Sequence, residues 1–321
     1  MIDLSQLSPM MQHYMETKKE YPDCILFYRL GDFYEMFFDD ALTVSKELEI
    51  TLTGKDCGLS ERAPMCGVPF HALDSYLYRL VQKGYKVAIA EQMEDPRQAK
   101  GLVKREVIRV VTPGTITSSQ VLDETKNNYL MGIVYMDGIY GISTADISTG
   151  DFMVTEVDSD RELFDEINKF SPSEIICNNA FYMSGVDMDE LKNRYQVVIS
   201  ALDSRFFGEE SCRRILMEHF KVGALVGLGL EDYATGIIAA GAVMQYIYET
   251  QKSTLEHITT ITPYSTGQYM VIDTSTRRNL ELVETMREKQ KRGTLLWVLD
   301  KTKTAMGARL LRACIEQPLI H

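Results

Sequence analysis

The chain has 321 residues, 45% hydrophobic and 25% charged, with a formal net charge of −12. That length leaves room for two or three domains, no apolar run approaches the about 18 residues of a membrane span, and the acidic balance speaks against a uniformly basic nucleic-acid-binding domain. Six cysteines (Cys24, Cys57, Cys66, Cys177, Cys212 and Cys314) follow no framework spacing and read as reduced thiols of a cytoplasmic protein.

The N-terminal MIDLSQLSPMMQHYMETKKE has a helical stripe of Met10, Met11, Tyr14 and Met15, and lacks the basic start and apolar core of a signal peptide. The apolar run CILFYRL (24–30) follows. It leads into RLGDFYEMFFDD (29–40), where Phe27, Phe33, Phe37 and Phe38 lie among Asp32, Glu35, Asp39 and Asp40. Phe33 and Glu35 share one side of any extended chain, because strand side chains alternate with period 2. A helix follows Asp39 and Asp40, whose charge suits a helix N-terminus. ITLT (50–53) reads as a strand, and Pro64, Gly67 and Pro69 as punctuation of a loop before a helix carrying Leu73, Tyr76, Leu77, Leu80 and Val81. Gly84 ends that helix, and YKVAIAEQM (85–93) and VKREVIRVV (103–111) read as strands. Residues 1–113 are therefore expected to form an α/β domain with a mixed sheet, followed by a polar linker over 114–128 that opens at Thr112-Pro113-Gly114.

The second region, 129–252, opens with three strands. YLMGIVYM (129–136) turns at Asp137-Gly138 into IYGISTADI (139–147), which turns near Thr149-Gly150 into DFMVTEV (151–157). A helix over 160–170 with Leu163, Phe164, Ile167 and Phe170, buried strands SEIIC (173–177) and QVVIS (196–200), and a long apolar helix near 233–250 come next. Three antiparallel strands and then α–β–α–β is the element order of a ribonuclease H-like fold. The third region, 253–321, becomes mainly helical from about residue 265, with Leu280, Val283, Leu295, Leu296, Val298 and Leu299 as core candidates beside the lone Trp297. With no further segments to cover these apolar faces, it reads as the beginning of a helical domain.

Catalytic chemistry is thinly represented. A P-loop needs G-x-x-x-x-G-K-[ST], but Gly54-Lys55 is followed by Asp56 and position 49 is Glu. Cys57, Cys66 and His71 have C-x8-C-x4-H spacing, outside the usual zinc patterns. The ribonuclease H-like order raises a metal-dependent nuclease in which Asp146 and Asp151, with Glu156 nearby, would hold metal ions. The simpler reading is carboxylates beside a turn, since Ser148-Thr149-Gly150 follows Asp146. Residues 97–109 hold Arg97, Lys100, Lys104, Arg105 and Arg109 against Glu106, a local balance of +4. Such a strip could follow a phosphate backbone or form a solvated face.

The blocks FYRLGDFYEMFFDDA, APMCGVPFHA, VAIAEQ, RVVTPGT, DISTGDF, TRRNLEL and GTLLWVLDKTKTAMGARLL closely resemble the MutS family of DNA mismatch-repair proteins, in family order across almost the whole chain. The resemblance implies a mismatch-recognition domain, a connector domain and the start of a core domain. The family's lever, clamp and ATPase domains, with their ATP and Mg, are not represented in these residues. It implies mismatched double-stranded DNA as ligand, a MutL-type repair partner met through the connector, a homodimer only for the full-length protein, and a cytoplasmic, nucleoid-associated location. A docking module without DNA contact is the remaining alternative.

The family's Phe-x-Glu motif falls on Phe33-Tyr34-Glu35. By resemblance, Phe33 enters the minor groove and stacks on a mispaired base, and Glu35 hydrogen-bonds that base. The physics is consistent: a wedge unstacks a base step at a few kcal/mol and kinks the duplex, and a mispaired step opens more cheaply than a matched one. Stacking returns roughly 1–3 kcal/mol for any base. A carboxylate in a polyanion's groove is repelled unless a specific hydrogen bond offsets it, which disfavours ordinary duplex. Phe27, Phe37 and Phe38 keep a core role in this reading. Lys55, Arg105 and Arg109 are the expected phosphate contacts.

Overall fold

The computed structural model of the chain describes residues 4–94, 101, 103–118 and 122–320. Two units separate by their contacts, one of residues 1–113 with 249–253 and one of 114–248 with 254–321. Arg97 and Lys100 of the basic strip lie outside the described residues.

In the first unit, helix α1 (Pro9–Glu20) precedes strands β1 (Cys24–Leu30) and β2 (Phe33–Phe37), helix α2 (Phe38–Leu48), and strands β3 (Thr53–Lys55) and β4 (Ala63–Pro69). Helix α3 (Leu73–Gln82) and strands β5 (Lys86–Gln92) and β6 (Arg105–Val111) complete it. The strands form one sheet in the order β3-β4-β2-β1-β5-β6, antiparallel except for the β1–β5 pair. Alternation sends Cys24, Leu26 and Tyr28 to the face covered by Met11 and Tyr14 of α1. Asp40 ties these layers together. Its buried carboxylate accepts from the Leu26 N–H (2.9 Å), the Tyr14 hydroxyl (3.2 Å) and the Lys18 ammonium (2.9 Å). Asp40 is thus a buried staple as well as a first-turn acid of α2.

Two sequence expectations change here. The strand expected over ITLT begins only at Thr53. Residues 50–52 are used in leaving α2, where Glu49 takes a left-handed conformation (φ 58°) and the Ile50 N–H bonds back to Ser45 O. The loop expected around Pro64, Gly67 and Pro69 is strand β4, paired to β2 on one side and β3 on the other. Its prolines sit near the two ends, where a missing N–H donor costs the ladder least.

The second unit is built on β7 (Leu130–Met136), β8 (Ile139–Asp146) and β9 (Asp151–Val157), an antiparallel meander. Helix α4 (Asp160–Phe170), strand β10 (Glu174–Cys177), helices α5 (Asn179–Tyr182) and α6 (Met188–Tyr195) and strand β11 (Val198–Ala201) follow. Helix α7 (Glu209–Phe220), the long helix α8 (Ala234–Gln251) and the short strand β12 (Thr262–Pro263) come last. Strands β10 and β11 run parallel to β7, giving the order β11-β10-β7-β8-β9-β12, the ribonuclease H-like arrangement with one strand added beside β9. Close approach of α8 is possible because glycines face it: a Cβ on Gly141 would stand 2.4 Å from the Thr235 carbonyl, and one on Gly132 2.5 Å from Val243. Among the described residues no helix is long and apolar enough to cross a membrane.

The start of the expected linker is not loose. Gly114, Thr115 and Ile116 are buried, and the Gly114 N–H donates to the Glu174 carboxylate at 3.0 Å. In the third region, helices α9 (Thr274–Asn279), α10 (Leu295–Leu299) and α11 (Ala305–Glu316) are short. Leu282, Val283 and Leu296 are buried there, whereas Leu280, Leu295, Val298 and Leu299 are exposed, against expectation. A helix of one or two turns has a single inward position, so an apolar run such as LLWVL cannot bury every member.

Candidate nucleic-acid interface

The β1–β2 hairpin closes through Gly31 and Asp32. Gly31 takes φ +58° in open space, so the backbone angle of the turn, and not a close neighbour, favours glycine there. The register Leu30↔Phe33 and Tyr28↔Glu35 puts Phe33, Glu35 and Phe37 on the α1 face. There their fates diverge. Phe37 is buried edge-on against Tyr14 (centroids 5.0 Å apart), whereas Phe33, at the hairpin end, is 46% exposed. Phe27 is fully buried and Phe38 partly so, as expected of core rings.

Strand β2 is braced from the opposite face. The Tyr34 hydroxyl donates to Glu91, and Arg29 pairs with the same carboxylate at 3.5 Å. Burial, and then the Glu91 carboxylate, push the Tyr34 phenol's pKa up, so it remains a donor. The Arg29 guanidinium also lies 4.1 Å over the ring of Phe70, a second exposed aromatic whose N–H bonds to Asp32 O. A rigid base therefore carries the exposed Phe33.

Glu35 is not a bare carboxylate. The Lys55 ammonium donates to its Oε2 and lies 5.6 Å from the Phe37 ring centroid. Gly67 lies opposite Glu35 on β4; a Cβ there would make an ordinary 3.5 Å contact with Glu35 Cγ and a tighter 3.3 Å one with Tyr34 O. Gly67 is thus a strand residue and not loop punctuation; the signal available in the sequence is an isolated glycine within an otherwise strand-like run. Arg29 and Phe70 carried no separate signal beyond their places in two motif blocks.

The two other cations proposed for phosphate contact are differently disposed. Arg105 is buried, its guanidinium donating to Arg29 O (2.8 Å) and Val103 O (2.7 Å) and lying 5.0 Å over the Tyr28 ring. It is spent on the fold rather than presented to solvent. Arg109 is half-buried; burial pulls its pKa down while the Asp74 carboxylate opposes that shift. Lys104 is exposed and paired with Glu106 at 2.6 Å.

The carboxylates of the nuclease reading are taken up by the second unit. Asp146 accepts from the Ser148 N–H (2.8 Å), the Ser148 hydroxyl (2.6 Å) and the Asn128 N–H (3.1 Å), closing the turn after β8. Asp151 accepts from the Tyr129 hydroxyl at 2.8 Å, and its pKa is raised by burial despite that bond. Glu156 caps α8 by accepting from the Thr235 and Gly236 N–H groups at 2.6 and 2.8 Å. Cys57 and Cys66 donate to Glu61 O and Ala41 O, and His71 packs edge-on to Phe70. Among the described residues no three His, Cys, Asp or Glu side chains converge as a metal site.

Comparison with known proteins supplies the context for this geometry. Residues 8–120 match the family model MutS domain I, residues 128–259 MutS domain II, and residues 275–321 MutS domain III. The chain is 65% identical over 317 residues to the DNA mismatch repair protein MutS of Lachnoclostridium phytofermentans, covering 99% of this chain and 34% of the relative. It is 55% identical to that of Acetivibrio thermocellus and 53% to that of Ruminiclostridium cellulolyticum, again over 99% of this chain and 37% and 36% of those proteins. The chain thus spans about a third of the length of the curated relatives it matches. With its three successive domain matches, its two mixed sheets and the exposed Phe33 beside Glu35, the chain belongs to the MutS family.

Proposed function

We propose that this chain senses mispaired or unpaired bases in duplex DNA for mismatch repair, with Phe33 as the groove-inserting wedge and Glu35 as the base-contacting carboxylate. One observation carries the reading: of the aromatic rings on the α1 face of β2, Phe33 alone stands open to solvent, on a braced hairpin, with a carboxylate two residues along the same face. An exposed ring held this way loses little of its own packing when it inserts, and gains stacking of roughly 1–3 kcal/mol on whichever base it meets.

In this reading residues 1–113 are the recognition domain, 114–128 the linker, 129–252 the connector and 253–321 the beginning of the core. The connector would meet a MutL-type partner. These residues contain no phosphate-cradling loop, so ATP and Mg chemistry, and with it the homodimer, would belong to other parts of a MutS-length protein. The chain itself would be non-enzymatic, without a cofactor, and would work in the cytoplasm on the nucleoid. Arg109 remains a candidate for phosphate contact, Lys55 is bonded to Glu35, and Arg105 acts through the sheet it holds.

The test is equilibrium binding of the full chain to a G·T or unpaired-T duplex and to the matched duplex of the same sequence, across a salt series. Tighter binding to the defective duplex supports the reading; equal affinity at every salt concentration refutes it.

A further inference from the structure

We propose that Lys55 is a positioning residue for mismatch discrimination: it holds Glu35 as an ion pair, so that the probe approaches the phosphates as a neutral pair rather than as a bare carboxylate. This rests on reading Phe33 and Glu35 as the groove-inserting pair.

Three observations carry it. Among the described residues Lys55 is the bonded partner of Glu35, and Glu35 the bonded partner of Lys55. Both side chains are partly desolvated, with 16% of the Glu35 side chain and 33% of the Lys55 side chain exposed, so water screens this pair less than a surface pair. The sheet is also built for it. Lys55 pairs with Ala63 and Glu35 with Gly67, which sends both side chains to the same face on either side of β4.

The electrostatic consequence differs from that of a phosphate contact. A lone ammonium strengthens binding to every duplex and carries no information about pairing. An ammonium bonded to the probing carboxylate converts a charge into a short dipole, whose repulsion from the phosphates falls off faster with distance. Its bond to Oε2 leaves Oε1 to accept from a base N–H and limits the positions that oxygen can take. Removing Lys55 uncovers a carboxylate charge that the phosphates of both duplexes repel, and it harms the mismatched complex further, because only that complex uses a correctly placed oxygen.

The experiment is a double-mutant cycle in the full chain, with wild type, Lys55→Met, Glu35→Gln and the double variant, each titrated against the G·T and the matched duplex at fixed salt. Lys55→Met is expected to lower the mismatched-to-matched affinity ratio about fivefold, the size typical of residues coupled within one ion pair. In the Glu35→Gln background the same change leaves the ratio unaltered, and Lys55→Arg restores it. Lys55→Gln, close in length and polarity, carries the expectation of Lys55→Met should that variant fold poorly. Equal weakening of both duplexes, the same in either background, makes Lys55 a lone phosphate contact and overturns the proposal while the reading of Phe33 stands. A wild-type chain without mismatch preference, or Phe33→Ala that keeps it, overturns that reading and the proposal with it.

Discussion

Phe33 and Phe37 lie four residues apart on one face of one strand, and truncating each tests opposite claims. Phe37 is 1% exposed and packs edge-on against Tyr14, so Phe37→Ala opens a cavity in the core of the first unit and costs about 3–5 kcal/mol of stability. Phe33 has nearly half its surface open. Full burial of such a side chain stabilises by about 1.5–3 kcal/mol, so roughly 1 kcal/mol of fold stability rests on it. On a mismatched duplex, however, Phe33→Ala forfeits stacking of about 1–3 kcal/mol, a loss of about 5- to 150-fold in affinity. The matched duplex offers no opened step and binds almost as before. Denaturant titration followed by fluorescence measures the first quantity and anisotropy with labelled duplexes the second. The reasoning is refuted if Phe33→Ala unfolds as early as Phe37→Ala, or if it keeps mismatch preference within about twofold of wild type.

Other expectations follow from single contacts. Glu35→Gln removes a negative charge and frees the Lys55 ammonium, so binding to matched duplex strengthens and discrimination narrows; an unchanged matched-duplex affinity in the same anisotropy assay counts against the role of the carboxylate. Gly141→Ala puts a methyl 2.4 Å from the Thr235 carbonyl, a backbone neighbour that cannot rotate away. It is expected to destabilise the second unit by more than the about 1–3 kcal/mol of ordinary overpacking, and a wild-type guanidinium midpoint would refute the close packing of α8 on β8. Cys24, Cys57, Cys66, Cys177 and Cys212 are buried and Cys314 is exposed. Burial pushes the Cys24 thiol up to about 11 and those of Cys66, Cys177 and Cys212 up to about 12. A thiol reagent at neutral pH should therefore label one cysteine quickly in the native protein and the remainder only on unfolding; fast labelling of a second would contradict that packing.

Much of the architecture was legible in the residues themselves. The three-strand meander followed by alternating helices and strands, the helix over 160–170 and the blocks shared with the MutS family all rest on local periodicity, turn chemistry or contiguous sequence, signals that need no knowledge of what packs against them. Alternation alone set Phe33, Glu35 and Phe37 on one face. What periodicity could not supply was which of them would be covered. Phe33 and Phe37 are the same residue at the same phase, and only the docking of Tyr14, from a helix well upstream, buries one and leaves the other free. Likewise Arg105 and Lys55 are equivalent as charges in a sequence, yet one is held by carbonyls inside the sheet and the other bonds Glu35 from across β4. The proline-marked stretch 63–69 became a central strand because β2 and β3 both needed a partner there, a requirement invisible to local propensity. Local spacing determines where a side chain points, whereas exposure and charge pairing are set by segments distant in the chain, and those decide which side chains remain available to a ligand.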